Sequence, residues 1–225
     1  MTAPARATVP AWETLIRGRT GMYVAGAALA GFGVLFTAVK AGRSNAFDVA
    51  LTLRIQGRRH PSVARAMEVV SWPGFPPQSR IIPPLLASTM FVAGLRTEAV
   101  FQLLAWGSAG ISTVVKGYVH RPRPLPDQVN VVLVPLGGSS FPSGHVLTYV
   151  GTYGYAAFVI YSTVKPPLLR WPLTAGLVGL IALVGPSRIY LGHHWPTDVT
   201  ASYLLGTTYL IGLLALYRRA KARQL

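Results

Sequence analysis

Six uncharged, mostly apolar stretches punctuate the chain: Gly21 to Val39, Ile81 to Leu95, Ala99 to Val115, Val146 to Val164, Trp171 to Ser187 and Val199 to Tyr217. A helix that crosses a bilayer needs about 20 apolar residues, with about 17 as a lower bound, and four of the six pass comfortably or nearly so. The second stretch is short, and uncharged Val69 to Ser79 lies just upstream of it across Arg80, so its start is blurred. Gly26, Gly31 and Gly33 in the first stretch and Pro83 and Pro84 in the second would disrupt soluble helices. Membrane helices tolerate such residues, and small ones let helices pack closely. The pattern predicts an all-α polytopic membrane protein with six transmembrane helices.

Between the first two stretches lie Phe47 to Gln56 and Pro61 to Ser71, in which Val63, Ala66, Met67 and Val70 recur at helical spacing, interleaved with Arg54, Arg58, Arg59 and Arg65. This pattern predicts one or two amphipathic helices lying on the membrane interface, against the plainer alternative of a basic solvated loop. The first stretch follows Arg17 and Arg19 but is longer than a signal-peptide apolar core, so it is read as a retained anchor. Residues 1 to 11 are expected to be disordered. The resulting parse is a cytoplasmic segment over 1–20, a six-span domain over 21–217 and a basic cytoplasmic tail over 218–225. No internal repeat or heptad array interrupts it.

Composition agrees with a membrane setting: of 225 residues 51% are hydrophobic and only 12% charged, against about 25% charged in a soluble domain. Lys and Arg number 21 against six acids, for a net charge of +15. Such an excess suits nucleic acid, anionic lipid or a phosphate-bearing substrate, and the apolar runs favour the last two. The absence of Cys removes thiolate and zinc-thiolate chemistry. The acids Glu13, Asp48, Glu68, Glu98, Asp127 and Asp198 are too scattered in sequence to suggest a two-metal carboxylate site. No cofactor or metal is therefore expected, and no nucleic-acid partner. The expected partners are a lipid phosphate substrate and the surrounding membrane lipids.

Orientation follows from the cations that neither a site nor an interfacial segment explains. Arg6, Arg17 and Arg19, then Arg96, Lys165 and Arg170 in short turns, then Arg218, Arg219, Lys221 and Arg223 all fall on one side, taken as cytoplasmic. The loops after the third and fifth spans then face outward together.

Those outward loops carry the chain's chemistry: Lys116, Arg123 and Pro124; Pro142, Ser143, Gly144 and His145; Ser187, Arg188, His194 and Asp198. Phosphate is a compact anion; Arg offers it a planar fork of donors and Lys a point charge. Any one of Lys116, Arg123 and Arg188 is best explained as a cation at a span end, but three in register with two histidines are not. Ser143 and Gly144 precede an apolar helix, where backbone N–H groups bind anions, although a Ser there is by itself best explained as a cap. His145 and His194 are the candidates for proton transfer and attack, since imidazole titrates near neutral pH. Asp198, one helical turn after His194, is placed to fix its tautomer. His193 is assigned no chemistry, His60 and His120 are read as structural, and Tyr149, Tyr153, Trp171 and Trp195 as core or interface packing.

These segments resemble the type 2 phosphatidic acid phosphatase (PAP2) family, whose pattern is K-x6-RP, PSGH and SR-x5-H-x3-D, and no motif position departs from it. The resemblance implies an integral-membrane lipid phosphatase that works without a metal. In it His194 attacks phosphorus to give a phosphohistidine, His145 protonates the leaving oxygen and Asp198 orients His194. Lys116, Arg123, Ser143, Gly144 and Arg188 would hold the phosphate. Phosphatidylglycerol phosphate, phosphatidic acid and undecaprenyl diphosphate are the substrates it suggests. A phosphotransferase sharing the intermediate and a non-enzymatic anion-binding protein are the alternatives. Composition fits a bacterial cytoplasmic (inner) membrane, with the site on the periplasmic side; oligomeric state is not addressed.

Overall fold

A computed structural model describes residues 19–57, 60–132 and 137–224; the N-terminal residues expected to be disordered, and Arg58 and Arg59, lie outside these. The described residues form helices and connecting turns, with no strand. In chain order the helices are α1 (Arg19–Lys40), α2 (Asn45–Gln56), α3 (Pro61–Ser71), α4 (Gln78–Val92), α5 (Arg96–Trp106), α6 (Ser108–Val119), α7 (Gly144–Thr148), α8 (Gly154–Thr163), α9 (Pro167–Tyr190) and α10 (Pro196–Ala222). A single 3-10 turn, Trp72–Gly74, follows α3, and a π turn, Tyr149–Tyr153, joins α7 to α8.

Among the described residues, four segments are long and apolar enough to cross a membrane: Arg19–Lys40, Arg96–Val119, Pro167–Tyr190 and Pro196–Ala222. In the first and third only 11% of the most apolar window is buried inside the protein, so most of their Val and Leu side chains face outward, where lipid and not water must solvate them. The other two expected spans are shaped differently. Helix α4 has 15 residues, about 22 Å at 1.5 Å per residue, less than a ~30 Å hydrocarbon core. The α7–α8 stretch reaches span length only across its π turn. Both segments placed between the first spans are helical, as α2 and α3.

Packing draws one end of the bundle together. Helix α1 lies along α10, where Gly31 admits Leu204 and Thr208 Oγ1 donates to the Ala25 carbonyl at 3.2 Å. Helix α5 packs on α4 and α10, and α9 on α3 and α8. The C-terminal ends of α1, α6 and α9 thereby meet the N-terminal ends of α7 and α10, and the three motif segments occupy that shared end. Away from it the core is apolar and aromatic, with Phe101, Tyr155, Leu213 and Leu214 buried together.

Local sequence sets the entries to that end. His120 caps α6 in the left-handed region at φ 49°, which turns Arg121 inward. Gly192 ends the turn after α9 at φ 71°, where a Cβ would overlap the Asn130 carbonyl; only glycine fits there. Gln56, at the end of α2, ties the same loop down. Its Nε2 donates to the carbonyls of Asn130 (2.7 Å) and Tyr190 (2.9 Å), and its Oε1 accepts from the Asn130 N–H at 3.0 Å.

Candidate active site

His194 is 2% exposed and held by a backbone acceptor: its Nδ1 lies 2.8 Å from the Ser140 carbonyl. A carbonyl only accepts, so Nδ1 carries the proton and Nε2 keeps its lone pair. Arg123 Nη1 approaches that Nε2 at 3.3 Å. Burial, then Arg123, Arg188 and Lys116, hold the His194 imidazole well below its ordinary pKa of 6.5, and so neutral. The expected orienting partner, Asp198, is more distant, with its Oδ2 3.6 Å from Nδ1. Next to a neutral imidazole this is no ion pair. The shorter bond to Ser140 wins because Asp198 is engaged elsewhere.

Asp198 serves the start of α10: its Oδ2 accepts from the Trp195 N–H at 2.9 Å, closing the first turn. Its Oδ1 accepts from Arg121 Nη1 at 2.6 Å. Arg121 Nη2 reaches the other way, to Asp48 Oδ2 at 2.6 Å and Ser44 Oγ at 3.0 Å. Thr197 completes the cluster by donating its N–H and hydroxyl to Asp48 at 2.9 and 2.8 Å. Arg121 therefore fastens the α1–α2 junction to the start of α10 through two buried carboxylates. Carboxylates buried this deep are tolerated where each is paired and hydrogen-bonded.

The three expected phosphate-binding cations converge on the histidines. Lys116 Nζ donates to the Ser139 carbonyl at 2.8 Å. Arg123 donates to the His193 carbonyl at 2.8 Å and the Gly137 carbonyl at 3.2 Å, and burial lowers its pKa below the ordinary arginine value. Arg188 is fully buried, stacks over the Phe75 ring at 4.9 Å and donates through Nη2 to His193 Nδ1. His193, assigned no chemistry from the sequence, thus anchors Arg188. Burial, with Arg188 and Arg123 beside it, pushes its pKa down to about 3. Trp195, read as core or interface packing, is buried, its indole N–H donating to the Pro122 carbonyl at 3.1 Å.

Several buried polar atoms at this end have no hydrogen-bond partner among the described residues: Ser143 Oγ, His145 Nε2, Arg188 Nε and Nη1, His193 Nε2 and Ser112 Oγ. Ser143 stands at the N-cap of α7 yet makes no capping bond, and its own N–H is taken by Ser202 Oγ at 2.7 Å. Orphaned donors are costly when buried, so a cluster of them around cations marks a place for an anion.

That place opens into a cavity of about 610 Å³. His145, His194, Lys116, Arg123 and Gly144 line it. One face of α6 (Ala109, Ser112, Thr113) and Trp106 form one wall; the Gly74–Phe75–Pro76 turn with Ser79 and Arg80 forms the other. Phe75 sits edge-on to the His145 ring at 4.7 Å, and a Cβ on Gly74 would overlap that ring. Ser71 Oγ bonds Ser187 Oγ at 2.7 Å and Tyr149 OH donates to the Val70 carbonyl at 2.8 Å, which hold this turn against the motif helices.

The structure thus gathers Lys116, Arg123, Ser143, Gly144, His145, Arg188, His194 and Asp198 at one end. Sequence reasoning overlooked Arg121, Asp48, the Ser140 carbonyl and the Gly74–Phe75 wall. Asp48, the lone acid of α2, was the available signal for the first two.

Fold and site together define a helical integral membrane protein organised around a pocket lined by cations and histidines. The chain belongs to the PAP2 superfamily, whose family model matches residues 98–222. Among curated relatives, it is 33% identical over 124 residues to undecaprenyl-diphosphatase BcrC of Bacillus subtilis, covering 52% of this chain and 58% of that one. It is 30% identical over 124 residues to phosphatidylglycerophosphatase B of the same organism, covering 54% and 59%. The match thus spans somewhat under two thirds of each relative's length. Its fold is shared with the crystal structure of a transmembrane PAP2-type phosphatidylglycerolphosphate phosphatase from Bacillus subtilis, at a TM-score of 0.77 and 23% identity, covering 88% of this chain and 97% of that one. Aquifex aeolicus LpxE follows at a TM-score of 0.58 and 24% identity, covering 75% and 95%.

Proposed function

We propose that the protein is a lipid phosphatase that releases phosphate from a membrane-borne phosphate or diphosphate ester through a phosphohistidine on His194. The observation that carries this is the fixed tautomer of His194: its Nε2 lone pair faces a cavity into which cations and unpartnered donors converge. Nε2 attacks phosphorus, and the phosphorus–oxygen bond to the lipid breaks. His145, which carries a proton when an anionic phosphate lies beside it, gives that proton to the departing oxygen. Water, deprotonated by the same imidazole, then attacks the phosphohistidine, frees inorganic phosphate and restores His194. Lys116, Arg123 and Arg188 neutralise the charge that grows on the phosphoryl oxygens, the part a divalent metal plays elsewhere. Asp198 acts with Arg121 to hold the start of α10 under His194.

Helix α4 and the α7–α8 stretch complete six spans in this scheme, with α2 and α3 on the interface and the site on the outer, periplasmic face of a bacterial inner membrane. The relatives' names support a phosphorylated lipid as substrate. The test is phosphate release by the detergent-purified chain, with EDTA present, from phosphatidic acid, phosphatidylglycerol phosphate and an isoprenyl diphosphate. Acid-labile phosphate on His194 should be trapped on rapid quenching. No release from any of the three sinks the proposal, and label passing to a lipid or sugar hydroxyl in place of water makes the protein a phosphotransferase.

A further inference from the structure

The cavity is larger than its chemistry at the histidines requires. It spans about 610 Å³, whereas one phosphoryl group has four heavy atoms. Lys116, Arg123 and Arg188 stand with the histidines and are braced by carbonyls or by His193. The wall built by the Gly74–Pro76 turn and the start of α4 carries one more cation, Arg80, beside the Ser79 hydroxyl in the first turn of α4. Neither side chain hydrogen-bonds or ion-pairs with any described residue, and Arg80 is exposed. A cation at the start of a membrane helix can serve as an interface anchor. Arg80, however, lines the same cavity as His194, and it follows closely on the Gly74–Phe75 turn that packs against His145, the group placed to protonate the leaving oxygen.

We propose that Arg80, with Ser79, forms a second anion subsite that holds a phosphate on the leaving-group side of the scissile bond. The preferred substrate is then a lipid with two phosphates, and this inference rests on the lipid phosphatase reading above. Two chemistries meet that requirement. In an isoprenyl diphosphate the bond from the terminal phosphorus to the bridging oxygen breaks, and that oxygen leaves with the lipid monophosphate. Negative charge grows beside Arg80, so its contact strengthens in the transition state and raises kcat. In phosphatidylglycerol phosphate the second phosphate is a diester across a glycerol, and its charge does not change. There Arg80 contributes equally to substrate and transition state and lowers KM alone. Phosphatidic acid has no second phosphate to offer.

The experiment compares wild type, R80Q and R80K in detergent on the three lipids. A charge-assisted hydrogen bond is worth about ten- to a hundredfold, so R80Q should lose about tenfold or more in kcat/KM on two-phosphate lipids relative to its loss on phosphatidic acid, and R80K should lose less. A loss in kcat on the diphosphate identifies the first chemistry; a loss confined to KM on phosphatidylglycerol phosphate identifies the second. Equal losses on all three lipids, or none, overturn the subsite. Equilibrium binding of inorganic pyrophosphate and orthophosphate separates its failure from that of the catalytic scheme. Tighter pyrophosphate binding that R80Q abolishes supports the subsite even with no lipid turned over. Equal affinity of wild type for the two anions overturns it even in an active enzyme.

Discussion

Two cavities of similar size lie in this bundle, and they differ in everything but volume. The first, about 610 Å³, holds the histidines. The second, about 570 Å³, lies between α8, α9 and α10 and is lined by Ala157, Phe158, Val178, Ile181, Leu210 and similar side chains, with few polar atoms. Each has an orphaned buried hydroxyl at hand: Ser143, next in sequence to the lining residue Gly144, in the motif region, and Thr174 in the wall of the apolar cavity. Thr174 stands in an apolar wall with no cation among its lining residues, as expected of a helix junction filled by lipid tails. Ser143 stands among Arg188, His145 and His194, where every unmet donor waits on the same kind of anion. Volume does not make a site; a shared unmet demand does.

The sharpest break in the comparison is His194→Ala, which should abolish phosphate release while leaving the purified protein folded by circular dichroism. Wild-type turnover from this variant discards the nucleophile. Next is Arg121→Met, which strands Asp48 and Asp198 as buried carboxylates and should cost about 3–5 kcal/mol of stability. Thermal unfolding in detergent reads it, and an unchanged midpoint denies the network its role. Ser143→Ala should slow phosphate release about ten- to a hundredfold, because the lost donor serves the bound anion. Gly74→Ala pushes a methyl into the His145 ring and should destabilise by about 1–3 kcal/mol, with activity falling alongside. Thr174→Val, the counterpart in the apolar cavity, should change stability by less than about 0.5 kcal/mol and turnover not at all. A large effect of Thr174→Val on turnover would erase the distinction between the two cavities.

Acid supplies a continuous version of the same test. His193 and His194 are held neutral in the folded protein, with the pKa of His193 near 3. The unfolded chain binds protons to both below about pH 6.5. Their contribution to stability is thus complete above that pH and is lost as pH falls toward the folded values. Melting temperature should drop on acidification below about 6.5, with a shallower slope in His193→Asn.

The helical membrane body was legible in the sequence because lipid solvation demands long uncharged runs, and no other pattern explains Gly21 to Val39 or Val199 to Tyr217. The residues of the three motifs stood out because phosphate selects rare residue types at fixed spacing. What the sequence hid had physical reasons. Arg121 is two residues from Arg123 and identical to it, but its partner Asp48 is 73 residues upstream, and nothing local links them. Asp198 was read from helical spacing as the partner of His194, yet spacing says nothing of a competing backbone acceptor. The Gly74–Phe75 wall belongs to no motif, since its work is to fill space against His145.

The bond from His194 to the Ser140 carbonyl has a genetic consequence. A main-chain oxygen is encoded by no codon in particular, so no single substitution deletes it. A screen for loss of function should find positions 194, 145 and 188 readily. It should be largely blind to position 140, except where a replacement such as proline redirects the chain. The feature that sets which nitrogen attacks is thus insulated from point mutation, and two proteins with different residues at this position can share it unchanged.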